Sequence, residues 1–314
     1  MSRPIAVLYE HPEWFRRLFA ELDRRGSHWV PVPAQDLVVD PSDRDPGYAL
    51  VVNRMSPSAW TRGNGHAIPV TLRWLEHLES AGVDVLNGAT AFRHEISKAA
   101  QLDLFERLGV AYPRARVIGH RAHAARAAEG LRFPVVVKPN VGGSGAGIRS
   151  FASPDELAAA ADTLDLGPDG TALVQEHLPA AGDEIVRVEV LGGRVLYAIK
   201  LRLEPGTFNL CPADYCRIDG LADGVSGRGL PIERYEVPAE LGARSVEIVA
   251  ASGAEVGGVE YLVDARDGEA YFYDVNALSN FVADAEAILG CDPHVDLVDH
   301  ILARAAVTRA EAAA

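Results

Sequence analysis

Lysine is scarce in this sequence of 314 residues. Three of its 30 basic residues are lysines (Lys98, Lys138 and Lys200), so the other 27 are arginines. The ammonium group of a lysine is a compact point charge that the planar guanidinium of an arginine does not replace. Each of the three lysines is therefore a candidate functional residue.

Cysteines and long apolar runs are also few. The three cysteines, Cys211, Cys216 and Cys291, form no disulfide framework, which favours a reducing compartment. The Cys211 and Cys216 pair supplies too few thiols for a structural zinc site. No apolar run approaches the ~20 residues of a membrane-spanning helix, and the first apolar stretch is too short for a signal peptide. We therefore expect a soluble, cytoplasmic protein.

The charge balance is acidic, with 44 acidic residues and a net charge of −14. Binding to nucleic acids depends on lysines and arginines that neutralise phosphates, so nucleic acids are poor partners for this chain. Anionic membrane surfaces are disfavoured for the same reason. The length predicts two or three domains.

The first ninety residues alternate strand and helix patterns, which indicates an open, mostly parallel sheet. Apolar runs predict strands at 5–9, 29–32, 48–53 and 83–87. Helical spacing predicts helices at 13–26, 69–81, 95–109, 153–164, 238–252 and 293–306. Alternating runs predict two β-hairpins, over 184–203 around Gly192 and Gly193 and over 258–276 around Asp267 and Gly268. Residues 204–236 read as a long loop.

A glycine-rich run, Gly142 to Gly147, follows a predicted strand that carries Lys138 near its end. The run is not a P-loop, because Ile148 follows the last glycine where a P-loop needs a lysine. It also fails the dinucleotide-binding pattern. A glycine-rich turn after such a lysine can still wrap phosphate oxygens with backbone N–H groups. A flexible hairpin tip is the alternative.

The second hairpin carries Glu260, Asp274 and Asn276. Two carboxylates and an amide oxygen are hard ligands that suit Mg²⁺, and residues 274 and 276 share a face of their strand. Solvated acids at the strand ends are the alternative.

The first hairpin carries two pairs of charged residues, each spaced by two. Lys200 and Arg202 share one face of their strand, and Arg187 and Glu189 share a face of the partner strand. These charges suit the wall of a phosphate site. An exposed strand with alternating charges is the alternative.

In this order along the chain, the three groups resemble the ATP-grasp superfamily over about residues 90–305, and within it the branch of glutathione synthetase and the ribosomal-protein glutamate ligases. The resemblance implies an α/β and α+β architecture, with an open parallel N-terminal α/β domain and two α+β lobes that enclose ATP. The expected domains are 1–94, 95–180 and 181–314, with the glycine-rich loop in the second and the metal ligands in the third.

The resemblance also implies roles for individual residues. Backbone groups of 174–178 would hold adenine, and Glu184 or Asp183 would hold the ribose. The lysines and the glycine-rich loop would hold the phosphates. The implied nucleotide-contacting residues are Lys98, Lys138, Gly142, Gly143, Ser144, Gly145, Gly147, Gln175, Glu176, His177, Leu178, Asp183 and Glu184. The implied catalytic residues are Lys200 and Arg202, which line the γ-phosphate, and Arg202 or Arg187, which stabilises the oxyanion.

The metal ligands implied by the resemblance are Glu260, Asp274 and Asn276, for two Mg²⁺ ions that Mn²⁺ can replace, with ATP as the other cofactor. The family pattern places Asp first and Glu second and continues with Pro-Gly, whereas here the order is reversed and 277–281 reads A-L-S-N-F. One carboxylate gains a methylene and the other loses one, so the combined reach is preserved. The substrate loop of the family cannot be carried over.

The implied function is an ATP-dependent carboxylate–amine ligase that forms an amide or peptide bond between small amino-acid-like molecules through an acyl phosphate. An ATP-grasp small-molecule kinase and a non-catalytic ATP-binding regulator are the alternatives. Members are often dimers or tetramers, so a homo-oligomer is compatible with the resemblance. The candidate substrate residues are Arg54, Asn209, Asp214, Tyr215, Arg217 and Ser279. For Arg54, a surface salt bridge is an equal alternative.

Overall fold

The computed structural model describes residues 3–143, 145–203, 232–282 and 284–313. Three β-sheets with covering helices make up this part of the chain. The three sheets follow one another along the sequence, and each lies within one of the three expected domains. The boundaries at 94 and 180 stay predictions.

The N-terminal sheet is parallel, as predicted, with the strand order β2-β1-β3-β4. Its strands are β1 (Ile5–Tyr9), β2 (Trp29–Pro33), β3 (Leu50–Arg54) and β4 (Val85–Leu86). Its helices are α1 (Arg16–Arg24), which a 3₁₀ turn at Pro12–Phe15 precedes, and α2 (Ala67–Ser80). The apolar sides of α1 and α2 pack on opposite faces of the sheet, so its central strands β1 and β3 are buried on both faces.

Two helices connect the first sheet to the second. They are α3 (Ala89–Glu95) and α4 (Lys98–Leu108). The prediction of one helix from 95 to 109 is wrong at its start, because the Ser97 side chain accepts a hydrogen bond from the backbone N–H of Ala100 and caps a new helix there. Gly109, at φ +63°, ends α4 in the left-handed conformation that favours glycine. Lys98 thereby stands in the first turn of α4.

The central sheet is antiparallel, in the order β5-β8-β6-β7. Its strands are β5 (Ala115–Ile118), β6 (Val135–Pro139), β7 (Arg149–Phe151) and β8 (Ala172–Glu176). Its two covering helices are α5 (Ala124–Ala128) and α6 (Pro154–Ala159). The predicted N-cap is confirmed, since Ser153 Oγ accepts from the Glu156 N–H, but the Glu156 carboxylate accepts from the N–H of Ala152 rather than from that of Ser153. The helix ends five residues before the predicted 164, and a 3₁₀ turn at Ala161–Thr163 follows it.

The third sheet is antiparallel and contains both predicted hairpins, in the order β11-β10-β9-β12-β13. Its strands are β9 (Glu184–Leu191), β10 (Arg194–Arg202), β11 (Ile232–Arg234), β12 (Val256–Val263) and β13 (Ala270–Asn276). Gly192 and Gly193 turn the first hairpin at φ +56° and +77°, as a two-residue turn with positive φ at both positions requires. The remaining helices are α7 (Ala239–Ala251), α8 (Ala285–Leu289) and α9 (Pro293–Ala313).

The last helix ties the third sheet to the first. Leu297, Val298 and Ile301 of α9 share one hydrophobic cluster with Val52 of β3 and Ile199 of β10. This shared core fixes the carboxyl end of β3 beside the third sheet. No helix in the described part of the chain is both long enough and apolar enough to cross a membrane.

Candidate active site

A cavity of about 630 Å³ is lined by residues of all three sheets and of their connecting loops. The first sheet contributes the loop after β3. The second contributes the end of β6 and the segment from the end of β8 onward, and the third contributes β9, β12 and β13. Because these elements are far apart in sequence, the cavity exists only in the folded chain.

Ten of the predicted nucleotide-contacting residues line this cavity. They are Lys98, Lys138, Gly142, Gly143, Gly145, Gln175, Glu176, His177, Leu178 and Asp183. Gly147 and Glu184 are not in the lining, and Ser144 lies outside the described residues. The Glu176 carboxylate accepts a hydrogen bond from the backbone N–H of Arg132 and pairs with the side chains of Arg114 and Arg132, so it is already engaged by protein groups.

Two lysines face the cavity where the glycine-rich loop begins. Lys138 stands near the end of β6 and is buried, and Lys98 contributes from the first turn of α4. Burial, and then the like charge of Lys98, lower the pKa of Lys138 to about 8. A pair of cations that repel each other across a cavity fits a polyphosphate, which would relieve the repulsion.

The three predicted metal ligands lie on the facing strands of the second hairpin. Glu260 of β12 pairs directly with Asp274 of β13, and all three residues line the cavity. Lys98 Nζ lies 3.5 Å from Asp274 Oδ1, and Asn276 Nδ2 lies 3.5 Å from Asp274 Oδ2. Burial raises the pKa of Glu260, and the neighbouring Asp274 raises it further, while Arg187 lowers it.

This donor set fits Mg²⁺ that is shared with a substrate. Within the described residues, no group of three or more His, Cys, Asp or Glu side chains could hold a metal alone. Two carboxylates and an amide oxygen leave positions for phosphate and water oxygens, as Mg²⁺ prefers.

Arg187 of β9 is buried and is the guanidinium that reaches the cavity wall beside these carboxylates. Its Nε donates to Glu189 Oε1 at 2.6 Å, its Nη1 to Glu260 Oε1 at 2.9 Å and its Nη2 to Ser279 Oγ at 3.1 Å. Burial alone would lower the pKa of Arg187, but Glu189 and Glu260 outweigh it, so the net shift is upward. The group is therefore a fixed positive charge.

Gly258 leaves the space that this guanidinium fills. A Cβ atom on Gly258 would lie 2.9 Å from Nη2 of Arg187 and 2.8 Å from Oε1 of Glu189. Gly258 belongs to the neighbouring strand β12, opposite Glu189 in the register. A glycine inside a strand often marks such a close approach.

Lys200 and Arg202 lie away from the lining of the cavity. In the register of β9 and β10, Lys200 lies opposite Val186, whereas Arg187 lies opposite Ile199. Directly opposed residues of antiparallel strands share a face, so Lys200 and Arg202 are on the other face of the sheet from Arg187. Both side chains pair there with Glu184, at 3.1 and 3.5 Å, and neither lines the cavity.

The candidate substrate residues also differ in where they lie relative to the cavity. Arg54 is buried and donates from Nη2 to the backbone oxygen of Ser279, so the surface salt bridge considered for it is wrong. Ser279 is also buried, between the cavity-lining residues Leu278 and Asn280. The remaining predictions lie outside the described residues and concern Asn209, Cys211, Asp214, Tyr215, Cys216 and Arg217.

Comparison with known proteins decides the family. The family model for the D-Ala–D-Ala ligase C-terminus matches residues 105–283, which is more than half of the chain. The chain belongs to this family of ATP-grasp ligases.

Curated relatives carry ligase names. A probable alpha-L-glutamate ligase of Pasteurella multocida is 26% identical over 227 residues, which cover 72% of this chain and 67% of that protein. A D-alanine–D-alanine ligase of Geobacter sulfurreducens is 29% identical over 202 residues, which cover 64% of this chain and 60% of that protein. The matches thus span about two thirds or less of these relatives' own length.

Solved structures show the same fold. The ATP-grasp ligase PsnB, in complex with a phosphomimetic variant of a minimal precursor, Mg and ADP, aligns at a TM-score of 0.68 and 20% identity, over 97% of this chain and all of that one. D-alanine–D-alanine ligase from Bacillus anthracis in complex with ATP aligns at a TM-score of 0.68 and 17% identity, over 99% of both chains. The predicted ATP-grasp fold is confirmed.

Several cavity-lining residues of this ATP-grasp ligase were not predicted from the sequence. They are Trp14, Ser56, Ser58, Glu95, Tyr273 and Asn280. One signal was present, because Ser56 and Ser58 follow β3 at the carboxyl end of a parallel sheet, where ligands of such sheets usually bind. For Glu95, burial raises the pKa to about 7, which no local pattern could indicate.

The pKa of Lys138 predicts how this ATP-grasp ligase binds nucleotide as the pH changes. Phosphates favour the protonated ammonium, so affinity should be constant well below the ligand-free pKa of about 8 and should fall above it. We expect ATP in the absence of Mg²⁺ to bind about tenfold more weakly at pH 9 than at pH 7. Lys138→Arg should flatten this dependence, because arginine stays protonated. An equally steep dependence in that variant would exclude Lys138 as the titrating group.

Gly258→Ala should displace Arg187 without changing the nucleotide site. The Cβ contacts below 3 Å force the guanidinium to move, and we expect kcat to fall at least about tenfold while the KM for ATP stays constant. Gly119→Ala is the matched control, since nothing lies within 4 Å of a Cβ at that position. Unchanged kcat in Gly258→Ala would show that the position of Arg187 does not matter for turnover.

Proposed function

We propose that this ATP-grasp ligase activates a carboxylate with ATP and joins it to an amine, releasing ADP and phosphate. One observation carries the proposal: two lysines, two carboxylates with an amide oxygen, and a buried guanidinium all face a single cavity. A protein that only bound nucleotide would have no need of the last two groups.

The first step forms an acyl phosphate. A carboxylate oxygen of the donor substrate attacks the γ-phosphorus of ATP, the bond to the β-γ bridging oxygen breaks, and ADP leaves. Lys98 and Lys138 neutralise phosphate oxygens in this transfer, in which the protein supplies position and charge rather than covalent chemistry. Glu260, Asp274 and Asn276 would hold Mg²⁺, which when bound offsets the charge of the phosphates.

The second step forms the amide. A neutral amine attacks the carbonyl carbon of the acyl phosphate, and negative charge develops on the carbonyl oxygen. The tetrahedral species then collapses as the bond to the phosphate oxygen breaks, and the leaving phosphate takes up the proton that the amine loses. The Arg187 guanidinium, fixed by its three hydrogen bonds, supplies the positive charge for that oxygen. The roles predicted for Lys200 and Arg202 have no support from the geometry.

We infer amino-acid-like substrates from the relatives, whose names include a glutamate ligase and D-alanine–D-alanine ligases. The volume of about 630 Å³ suits ATP with small partners. We also propose two Mg²⁺ ions, which Mn²⁺ can replace, as the resemblance implies.

The test is release of ADP and phosphate with Mg²⁺ and amino acids offered singly and in pairs. We expect turnover to require two components, one that supplies the carboxylate and one that supplies the amine. Turnover with a single component, with accumulation of its stable phosphorylated form, would replace the ligase proposal with a kinase.

A further inference from the structure

Arg54 is a buried cation with unused hydrogen-bonding capacity. It ends β3 and is 2% exposed. Its Nη2 donates to the Ser279 backbone oxygen, whereas its Nε and Nη1 are buried and have no hydrogen-bond partner among the residues that the structure describes. None of the ion pairs within 4.0 Å in these parts of the chain includes Arg54.

Such a group is costly to the resting protein. A buried charge without a partner loses its hydration and gains little in return. Glu189 and Glu95 act on Arg54 at longer range, but burial dominates and lowers the pKa of Arg54 to about 10, so the group stays charged near neutral pH. Glu189 Oε1 accepts from Arg187, whereas Glu189 Oε2 is buried without a hydrogen-bond partner in the described part of the chain, so Glu189 acts on Arg54 through its charge alone. A feature that costs stability in this way is typical of a functional site.

The neighbours of Arg54 form one end of the cavity. The Arg54 guanidinium carbon lies 5.6 Å from the centre of the Phe15 ring, and the adjacent Trp14 lines the cavity. Its hydrogen-bond partner Ser279 lies between Leu278 and Asn280, which also line it. Arg54 itself is not among the lining residues, so it lies behind the wall that Trp14, Leu278 and Asn280 form.

Trp14 Nε1 and Asn280 Oδ1, a donor and an acceptor of two cavity-lining residues, are also buried without hydrogen-bond partners in the described structure. Unpaired buried polar groups are rare in folded proteins and call for an explanation at each site. A bound molecule with an anionic group and further polar groups would satisfy all three residues.

We propose that Arg54 anchors a carboxylate of one substrate, a carboxylate other than the one that reacts with ATP. This inference rests on the proposed function and narrows its substrate class to molecules that keep a free carboxylate, namely an amino acid as amine or a dicarboxylic acid as acyl donor. The guanidinium of an arginine suits a carboxylate because it presents fixed N–H groups and full charge.

The test compares Arg54→Met and Arg54→Lys with the wild type in thermal unfolding and in ligand binding. The probes are L-glutamate, D-alanine and glutarate with ADP and Mg²⁺, each beside the corresponding amide that lacks the free carboxylate. We expect at least one probe to stabilise the wild type and its amide not to. In Arg54→Met the Kd of that probe should rise at least about tenfold, with the Kd of ADP changed less than twofold, and Arg54→Lys should fall between.

The unfolding midpoint separates this role from a structural one. Without ligand, Arg54→Met should unfold at the same temperature as the wild type or higher, because it removes an unpaired buried charge. Arg304→Met is the matched control and should unfold earlier, because Arg304 pairs with Asp84. A lowered midpoint in Arg54→Met with unchanged affinity for the probe would overturn the proposal, as would equal stabilisation of the wild type by acids and amides.

The same variants separate this inference from the proposed function. If a probe with a free carboxylate stabilises the wild type and Arg54→Met abolishes that stabilisation, the subsite is supported. This holds even if no pair of substrates releases ADP, because the lack of ADP release would count against the ligase reaction alone. Where a pair does turn over, a KM raised in Arg54→Met for the amine assigns the subsite to the acceptor, and a KM raised for the acyl component assigns it to the donor.

Discussion

Asp274→Asn should reduce Mg²⁺-dependent ADP release at least about 100-fold, because it removes one of the two carboxylates that face the phosphate end of the cavity. The asparagine keeps the size of the side chain and removes its charge, so Lys98, 3.5 Å from Asp274 Oδ1, keeps its surroundings apart from that charge. Binding of ADP without Mg²⁺ should be retained, since it depends on the lysines and the glycine-rich loop.

Asp267→Asn is the matched control for this variant. Asp267 lies in the exposed turn of the same hairpin, where its carboxylate accepts from the Glu269 N–H and the Tyr271 hydroxyl. Its replacement should leave the dependence on Mg²⁺ unchanged. If Asp274→Asn kept the wild-type response to Mg²⁺, then Glu260 and Asp274, which stand in the reverse of the family's order, would not form the metal site.

Arg187→Gln should lower kcat by about 10²–10³, the effect of removing one group that stabilises a developing oxyanion. The KM for ATP should stay within about twofold, because the lysines rather than Arg187 hold the phosphates. Arg187→Lys keeps the charge but loses the fork that reaches Glu189, Glu260 and Ser279 together, so its kcat should be intermediate.

Removing Arg187 also leaves two buried carboxylates without their cation, so the variant should be less stable. Binding of ADP, measured below the unfolding temperature, separates lost catalysis from lost folding. Arg194→Gln is the control, because Arg194 lies on the same hairpin and forms an exposed ion pair with Asp296 of α9, and it should leave kcat unchanged. If Arg187→Gln turned over at the wild-type rate, another group would have to stabilise the oxyanion.

Local patterns in the sequence predicted the elements that carry the nucleotide and metal sites. The alternation along 258–276 is enough to put Glu260 and Asp274 on two strands joined by one turn, but a register shift between Glu260 and Tyr261 sets their exact pairing. Lys138 was found in the same way, from its place at the end of an apolar strand before a glycine-rich turn. In both cases a few neighbouring residues decide the geometry.

The residues that were missed or misplaced depend on how distant segments pack. Alternation groups Lys200 with Arg202, but it does not say which face of the strand meets the cavity, and the register with Val186 puts them on the other side. The burial of Arg54 follows from contacts with Phe15 and Ser279, which come from opposite ends of the chain. Gly258 did carry a local signal, a glycine pair inside a strand pattern, although only the fold shows that Arg187 occupies its space.

The most direct test of the account is the fate of the carboxylate oxygen. With a substrate pair that turns over, the acyl component labelled with ¹⁸O in its carboxylate should transfer one labelled oxygen to the released phosphate. The label moves because the carboxylate oxygen bonds to the γ-phosphorus and its bond to carbon breaks when the amine attacks. Phosphate released without label would contradict activation of a carboxylate by ATP, and with it the ligase chemistry assigned to this cavity.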